Sequence, residues 1–224
     1  MYFLRFKVFR LSIVTGLLFA GSFVFAQDKP FQKEINRFLQ SDSIQAPEQG
    51  AILFTGSSSI VMWKSLQEDF PGKKVLNRGF GGSSLPHLLM YADDIIFPYN
   101  PTQIVLYSGE NDIAAGADAR LTFDRFRQVF ELIRGKLPQV PITFISIKPS
   151  PSRKQFRPVI DSANAMISQY LRGQRRTSYV DVYSKMLDKN NNARPDIFLK
   201  DSLHMNENGY KIWKKAVAPH LKNK

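Results

Sequence analysis

Five short apolar runs, separated by longer segments of helical periodicity, constrain the fold of this chain most strongly. The runs are continuous rather than alternating, as expected of strands that are covered on both faces of a sheet. They occupy residues 51–54, 75–76, 104–107, 142–147 and 179–182. Because strands that alternate with helices over short connections form parallel sheets with right-handed crossovers, we expect an α/β fold. The predicted form is a three-layer α/β/α sandwich with a parallel, flavodoxin-like sheet of about five strands.

The segments between the runs carry apolar residues at the three- and four-residue spacing of helices that pack on a sheet. Three stripes have this spacing: Phe123, Phe126, Phe130, Ile133 and Leu137; Ile160, Ala163, Ile167 and Leu171; and Tyr210, Trp213, Val217 and Leu221. Aromatic residues in such stripes belong to the core more often than to a cofactor site. Asn206 is the predicted N-cap of the last helix.

The first 26 residues have the pattern of a secretory signal peptide. A basic start precedes an apolar run at residues 11–25, and small residues suited to cleavage come just before Gln27. The run is shorter than the ~20 apolar residues that a membrane span needs. We therefore predict a signal peptide at 1–26 and an exported protein, periplasmic or secreted, with no integral membrane segment after cleavage. An uncleaved anchor that leaves the protein tethered is the alternative.

The length of 224 residues suits one domain, which we expect to span residues 27–224. The chain has no cysteine, so disulfides, thiolate nucleophiles and cysteine-based zinc sites are excluded together. Oligomeric state is left open by the sequence.

The chain is strongly basic, with a formal net charge of +12. Arg5, Lys7 and Arg10 are the only charged residues among the first 26, so the remainder carries a charge of +9. A basic surface favours anionic partners such as lipid headgroups, acidic glycans or nucleic acid. The basic residues are scattered, however, and no recognised nucleic-acid-binding motif is present. We interpret the charge as a solvated surface and predict no nucleic-acid partner, with nucleic-acid binding as a minor alternative.

Four polar blocks lie where predicted strands or helices end. Three follow predicted strands and the fourth precedes the last helix; they are Gly56-Ser57-Ser58-Ser59, Asn77-Arg78-Gly79-Phe80-Gly81-Gly82, Gly109-Glu110-Asn111-Asp112 and Asp201-Ser202-Leu203-His204. Sites of parallel α/β sheets lie beyond the carboxyl ends of the strands. We therefore expect the blocks to meet in one site.

The residue types in these blocks suit attack on an ester. Ser58, in a tight turn between a strand and a helix, can present its hydroxyl to a cleft as a nucleophile, although serine-rich turns also cap helices. His204 can take the proton of that hydroxyl, since imidazole titrates near ~6.5. Asp201, three residues earlier, can orient the ring and stabilise the imidazolium. Taken alone, Asp201 and His204 could equally be a pair in a surface loop.

Two further residues can stabilise negative charge on a tetrahedral intermediate. Asn111 offers a side-chain amide, and Gly82, without a β-carbon, offers a backbone N–H that can approach closely. The structural alternatives are a flexible glycine turn and a polar helix cap at Asn111.

The order of these blocks resembles the SGNH branch of the GDSL hydrolases, the GDSL-like lipases and acylhydrolases, over essentially the whole chain after residue 26. The resemblance implies Ser58 as nucleophile, His204 as base, Asp201 as its partner, and Gly82 and Asn111 as oxyanion donors beside the Ser58 N–H. It implies neither a metal nor an organic cofactor. One departure is Ser57, which stands where the family most often has aspartate; we expect an effect on turn stability or on a pKa rather than loss of catalysis.

The hypothesis is thus an exported serine esterase, a carboxylic ester hydrolase. The spacing of the first two blocks is most similar to that of acetylhydrolase-type members of the family, which suggests short acyl groups on a small-molecule, glycan or lipid alcohol. The alternative is a non-catalytic glycan- or lipid-binding module on the same fold.

We also predict that Lys148 and Arg153, after the fourth strand, reach the same rim of the sheet as Ser58 and Asn111 and contact the substrate there. The alternative is a rigid surface loop with two solvated charges.

Overall fold

A computed structural model describes residue 2 and residues 29–222. The signal peptide predicted at residues 1–26 lies outside these residues, except for residue 2, and stays a prediction. Within residues 29–222, no helix combines the length and the apolar character that a membrane crossing requires.

Five parallel strands form the central sheet, in the order β2-β1-β3-β4-β5. Their bounds are β1 Ile52–Gly56, β2 Val75–Gly79, β3 Gln103–Tyr107, β4 Ile142–Ile145 and β5 Thr177–Val180. Each strand overlaps one of the apolar runs, and helices cover both faces. The predicted three-layer α/β/α sandwich with a flavodoxin-like sheet is confirmed. The strand order reverses between β1 and β3, the point where ligands bind in open α/β sheets.

Nine α-helices lie within the described chain. They are α1 Gln32–Ile44, α2 Ser58–Val61, α3 Leu66–Asp69, α4 Leu85–Met90, α5 Ala92–Ile95, α6 Glu110–Ala114, α7 Ala119–Lys136, α8 Arg157–Arg172 and α9 Glu207–Val217. The three predicted stripes fall on α7, α8 and α9, with Leu137 and Leu221 just past the ends of α7 and α9. Asn206 caps α9 as predicted, because its side chain accepts hydrogen bonds from the N–H groups of Asn208 and Gly209.

Two hydrophobic layers enclose the sheet, one on each face. Phe126 and Phe130 of α7 belong to the layer that also contains the α8 stripe. On the opposite face, Trp213 of α9 packs edge-on against Trp63 and Tyr107, with ring centroids 5.8 and 4.8 Å away. Both tryptophans are almost fully buried. Because the Asp201-to-His204 block immediately precedes α9, this packing fixes that block beside the turn after β1.

The strand register aligns the carboxyl ends of the first three strands. Gly56, the last residue of β1, pairs with Gly79 of β2 and Tyr107 of β3. At Gly56 φ is +138°, and a β-carbon would lie 1.8 Å from the Tyr107 carbonyl oxygen, so only glycine fits. The connections that follow the three strands therefore leave the sheet at one level.

The second polar block begins within a strand, not after it, so our expectation for that block is wrong in part. Asn77, Arg78 and Gly79 are the last residues of β2 and pair with β1. Their polar side chains gave no strand signal, because strand periodicity is read from apolar residues. Only Phe80 to Gly82 lie in the connection.

Candidate active site

Ser58, His204 and Asp201 form a continuous hydrogen-bonded chain at the carboxyl edge of the sheet. The Oγ atom of Ser58 lies 3.1 Å from Nε2 of His204. The Nδ1 atom of His204 lies 2.6 Å from Oδ2 of Asp201. The arrangement brings together residues from opposite ends of the chain, and its geometry is that of a nucleophile, a base and an orienting carboxylate.

The charge state of Asp201 determines which nitrogen of His204 carries the proton. The hydrogen bond from His204 lowers the pKa of Asp201 to about 2, and backbone N–H groups of Leu203 and His204 act in the same direction. These N–H groups both donate to Oδ1 of Asp201 at 3.0 Å. An ionised carboxylate can only accept, so Nδ1 of His204 must be the donor. Its Nε2 is then a free acceptor for the hydroxyl proton of Ser58.

The position of Ser58 is fixed by contacts to the short helix α2, which begins at this residue. The Tyr210 hydroxyl donates to the Ser59 carbonyl oxygen at 2.9 Å, and the Asn77 side chain donates to the Ile60 carbonyl oxygen at 2.6 Å. Asn77 thus ties α2 to the end of β2. Sequence reasoning placed Asn77 in the second block but missed this positioning role.

Ser58 differs from the serines on either side in its surroundings. Ser57 and Ser59 are buried, with exposures of 3% and 2%, whereas Ser58 is partly exposed. The Ser57 N–H donates to the Tyr107 carbonyl oxygen at 3.1 Å, which anchors the turn to β3. Of the three hydroxyls, that of Ser58 contacts His204.

A hydrogen bond to Ser83, the residue after Gly82, connects Asn111 with the end of the second block. The Asn111 side-chain amide donates to the Ser83 carbonyl oxygen at 2.9 Å, directly after Gly82. Gly82 has φ of +79°, which favours glycine. Within residues 29–222, the N–H groups of Gly82 and Ser58 donate to no protein acceptor. Helix α6 begins after Gly109, so Asn111 lies inside the helix and does not cap it.

Lys148 does not reach the substrate rim, and the prediction that it does is wrong. Its side chain is 1% exposed, and Nζ lies 2.9 and 2.6 Å from the two carboxylate oxygens of Glu110. Ser150 bonds to both partners, at 2.8 Å from Nζ and 2.7 Å from Oε1 of Glu110. The Tyr107 hydroxyl donates to Oε2 of Glu110 at 2.8 Å. Moving two charges out of water costs free energy. The attraction within a buried ion pair offsets that cost only when the geometry is good and further hydrogen bonds are made, as they are here.

The Glu110–Lys148 pair holds the start of α6, and therefore Asn111, against the end of β4. Burial raises the pKa of Glu110, but the charge of Lys148 and three hydrogen bonds outweigh it, so the pKa lies below its ordinary value. One residue beyond Asn111, Asp112 accepts from the Leu85 N–H and from Arg125, both at 3.0 Å, which joins α6 to α4 and α7. Sequence reasoning missed both supports; the polar run from Glu110 to Asp112 was the available signal.

A serine, a histidine and a carboxylate lie together beyond the strand ends of an α/β/α sandwich, and the family match assigns the molecule to the ester-bond hydrolases. Residues 42–212 match the GDSL-like lipase/acylhydrolase family. The chain belongs to that family, and the resemblance noted from the four blocks is confirmed. No match was found among the curated proteins.

Solved structures share the fold. A candidate platelet activating factor protein from Streptococcus pneumonia is 21% identical, with a TM-score of 0.74 over 85% of this chain and 92% of that one. A GDSL-like lipase from Bacteroides thetaiotaomicron is 21% identical, with a TM-score of 0.71 over 83% and 96%. A variant of an acetyl-xylooligosaccharide esterase from Geobacillus is 14% identical, with a TM-score of 0.61 over 80% and 96%.

Proposed function

We propose that this protein is an exported serine esterase in which Ser58 is the nucleophile and His204 the base. The observation that carries the proposal is the 3.1 Å contact between Ser58 Oγ and His204 Nε2, with His204 held by Asp201. A hydroxyl becomes a useful nucleophile when an adjacent base takes its proton during attack.

The reaction runs through an acyl-enzyme. Ser58 Oγ attacks the ester carbonyl carbon while its proton moves to His204 Nε2. The tetrahedral intermediate collapses, the bond to the alcohol oxygen breaks, and His204 returns the proton to the leaving alcohol. Water then attacks the acyl-Ser58 carbonyl as His204 takes one of its protons. Collapse of the second intermediate releases the acid and returns the proton to Ser58, while Asp201 stays ionised throughout.

Three donors would stabilise the negative charge on the oxygen of each intermediate: the N–H groups of Ser58 and Gly82, and the second amide hydrogen of Asn111. The absence of protein acceptors for both N–H groups within residues 29–222 supports this role. Such preorganised donors act where charge develops, without rearrangement during the reaction.

The substrate class we propose is a short acyl group on a small-molecule, glycan or lipid alcohol. Family membership supports hydrolysis of esters, and the acetyl-xylooligosaccharide esterase among the similar folds is a protein of that substrate type. The proposed domain, residues 27–224, would act after export and removal of residues 1–26.

The test is a panel of p-nitrophenyl esters from acetate to octanoate, beside acetylated sugars and a lysophospholipid, with Ser58→Ala as the control. We expect acetate to be the best reporter and Ser58→Ala to be folded and inactive. A folded protein that binds glycans or lipids but hydrolyses none of these esters would be the binding module instead. For export, the full chain should fractionate outside the cytoplasm and a chain lacking residues 1–26 should not.

A further inference from the structure

A cavity of about 300 Å³ lies beside the loop that holds His204. Its walls come from the segment after β4, a 3-10 helix at Pro151–Phe156 that leads into α8, and from the loop that contains Asp188. The Ser152 N–H donates to the Ser202 carbonyl oxygen at 3.1 Å, which joins one wall to the loop from Asp201 to His204. One wall of the cavity, called here the Arg153 cavity, is therefore attached to the loop that carries His204.

Three of the four charged residues that line the Arg153 cavity are cationic. Arg153, Lys154 and Arg157 contribute to the lining, against one carboxylate, that of Asp188. Asp188 is already engaged, because its Oδ1 accepts from the backbone N–H groups of Asn190 and Asn192 at 2.8 and 2.9 Å. The lining thus has three cations against one carboxylate, and Asp161, 3.9 Å from Arg157, offsets part of this positive charge.

Two of the cations differ in what they already bind. The Arg157 guanidinium donates to the Tyr183 hydroxyl at 2.9 Å and to the Asn191 carbonyl oxygen, so it builds the wall. The Nε atom of Arg153, by contrast, is buried and has no hydrogen-bond partner in the described part of the chain. Buried polar groups are paired in the great majority of cases. Arg153 thus belongs to the cavity lining and has a guanidinium whose Nε atom lacks a protein partner within residues 29–222.

A further link between Arg153 and the loop of Asp201 is that both act on the pKa of Lys148. Burial lowers the pKa of Lys148 against the opposing charge of Glu110; Arg153 lowers it further, and Asp201 raises it. Arg153 and Asp201 thus lie within electrostatic reach of the same ammonium group. The hydrogen bond between Ser152 and Ser202 places one wall of the cavity two residues before His204, and this adjacency relates the cavity to an ester held at Ser58.

We propose that the Arg153 cavity binds an anionic oxygen group, a carboxylate or a phosphate, on the alcohol portion of the ester. The guanidinium fork matches both groups, and such charge-assisted hydrogen bonds are about twice as strong as neutral ones. The volume is at the lower end for ligand sites and suits a group of the size of a glycerol phosphate or one sugar ring. This inference rests on the proposed function of Ser58 and extends it to the alcohol.

Matched ester pairs test the proposal. One pair is 1-acetylglycerol 3-phosphate with neutral 1-acetylglycerol; the other is an O-acetylated methyl glucuronide with its methyl ester. Arg153→Ala should raise KM for the preferred anionic ester about tenfold or more, because a hydrogen bond to a charged group is lost. The KM values for the neutral member of each pair and for p-nitrophenyl acetate should change less than about twofold. The phosphate and carboxylate arms show which anion the cavity takes.

Two controls separate charge from folding. Arg172→Ala removes an exposed arginine at the far end of α8 and should alter neither ester. Arg153→Lys should recover part of the preference for the anion, since it restores the charge without the fork. Melting temperatures of all three variants should match the parent protein, because Arg153 makes no side-chain hydrogen bond or ion pair within residues 29–222 that its removal would break.

Equal KM changes for the charged and neutral members of both pairs, or none for either, would overturn the proposal. Failure of the parent protein to hydrolyse any ester is a different result, which overturns the proposed function. In that case calorimetry with glycerol 3-phosphate and with glucuronate tests separately whether the Arg153 cavity binds an anion. Binding that Arg153→Ala abolishes supports the anion site, and no binding of either compound refutes it.

Discussion

Replacing Lys148 with methionine should destabilise the protein strongly, because it strands the buried carboxylate of Glu110. Lys148 makes two contacts with Glu110 and one with Ser150, all within 2.9 Å, at a side-chain exposure of 1%. Loss of one partner of a buried pair costs about 3–5 kcal/mol of unfolding free energy. For a domain of this size each kcal/mol lowers Tm by about 2–4 °C, so Tm should fall by roughly 6–20 °C.

The loss should depend on pH in a defined direction. In the parent protein, Lys148 helps to hold the pKa of Glu110 below its ordinary value, so the stabilisation is present above that ordinary value and is lost as pH falls through the lowered pKa. Without the cation, burial is opposed only by the hydrogen bonds from Ser150 and Tyr107, so the pKa of Glu110 rises relative to the parent. The stranded carboxyl then takes up a proton as pH falls, and the difference between variant and parent should shrink from neutral to acidic pH.

Urea unfolding of the parent, Lys148→Met and Lys148→Met/Glu110→Gln at neutral and acidic pH tests this reasoning. The double variant keeps an acceptor for the Tyr107 hydroxyl and removes the stranded charge, so it should regain most of the loss. A single variant within about 1 kcal/mol of the parent at neutral pH, or a double variant as unstable as the single one, would show that the pair is not what holds this region.

Three kinetic predictions concern the catalytic groups. Ser58→Ala should abolish ester turnover whereas Ser59→Ala keeps most of it; the reverse result in an ester assay would mean that the wrong serine is assigned. Asn111→Ala should lower kcat by about 10²–10³-fold with little change in KM, because an oxyanion donor acts mainly in the transition state; unchanged kcat with a Tm lowered by a few degrees would make Asn111 structural. Because the pKa of Asp201 is about 2, this carboxylate is ionised at neutral pH, and Asp201→Asn should lower kcat by up to about 10⁴-fold. An Asp201→Asn variant that keeps most of its kcat contradicts this assignment.

The sheet and helices α7, α8 and α9 could be predicted because their signal is local. The residues of β3 are all buried, and a continuous apolar run is the direct trace of that burial. The stripe from Phe123 to Leu137 likewise follows from one helix packing on one face. The meeting of Ser58, Asn111 and His204 followed from a general rule about strand ends rather than from any one segment.

The supports around the site could not be predicted, because they depend on pairs of residues distant in the chain. Lys148 looks like a surface residue in the sequence, and its burial becomes intelligible only with Glu110, 38 positions earlier. Asn77 has the same character: its role is the contact with Ile60 across the turn. The partners of an isolated polar residue leave no periodic pattern to read.

The contact between Ser58 and His204 joins positions 146 residues apart in the chain. Closing so long a loop is slow relative to forming local helices. On refolding, helical signal should therefore return before ester hydrolysis does, since hydrolysis needs α9 docked through Trp213. During synthesis, Ser58, Gly82 and Asn111, the proposed nucleophile and oxyanion donors, are made well before His204, the proposed base. Under the proposed function, ester hydrolysis therefore starts only after His204 has been made and α9 has docked.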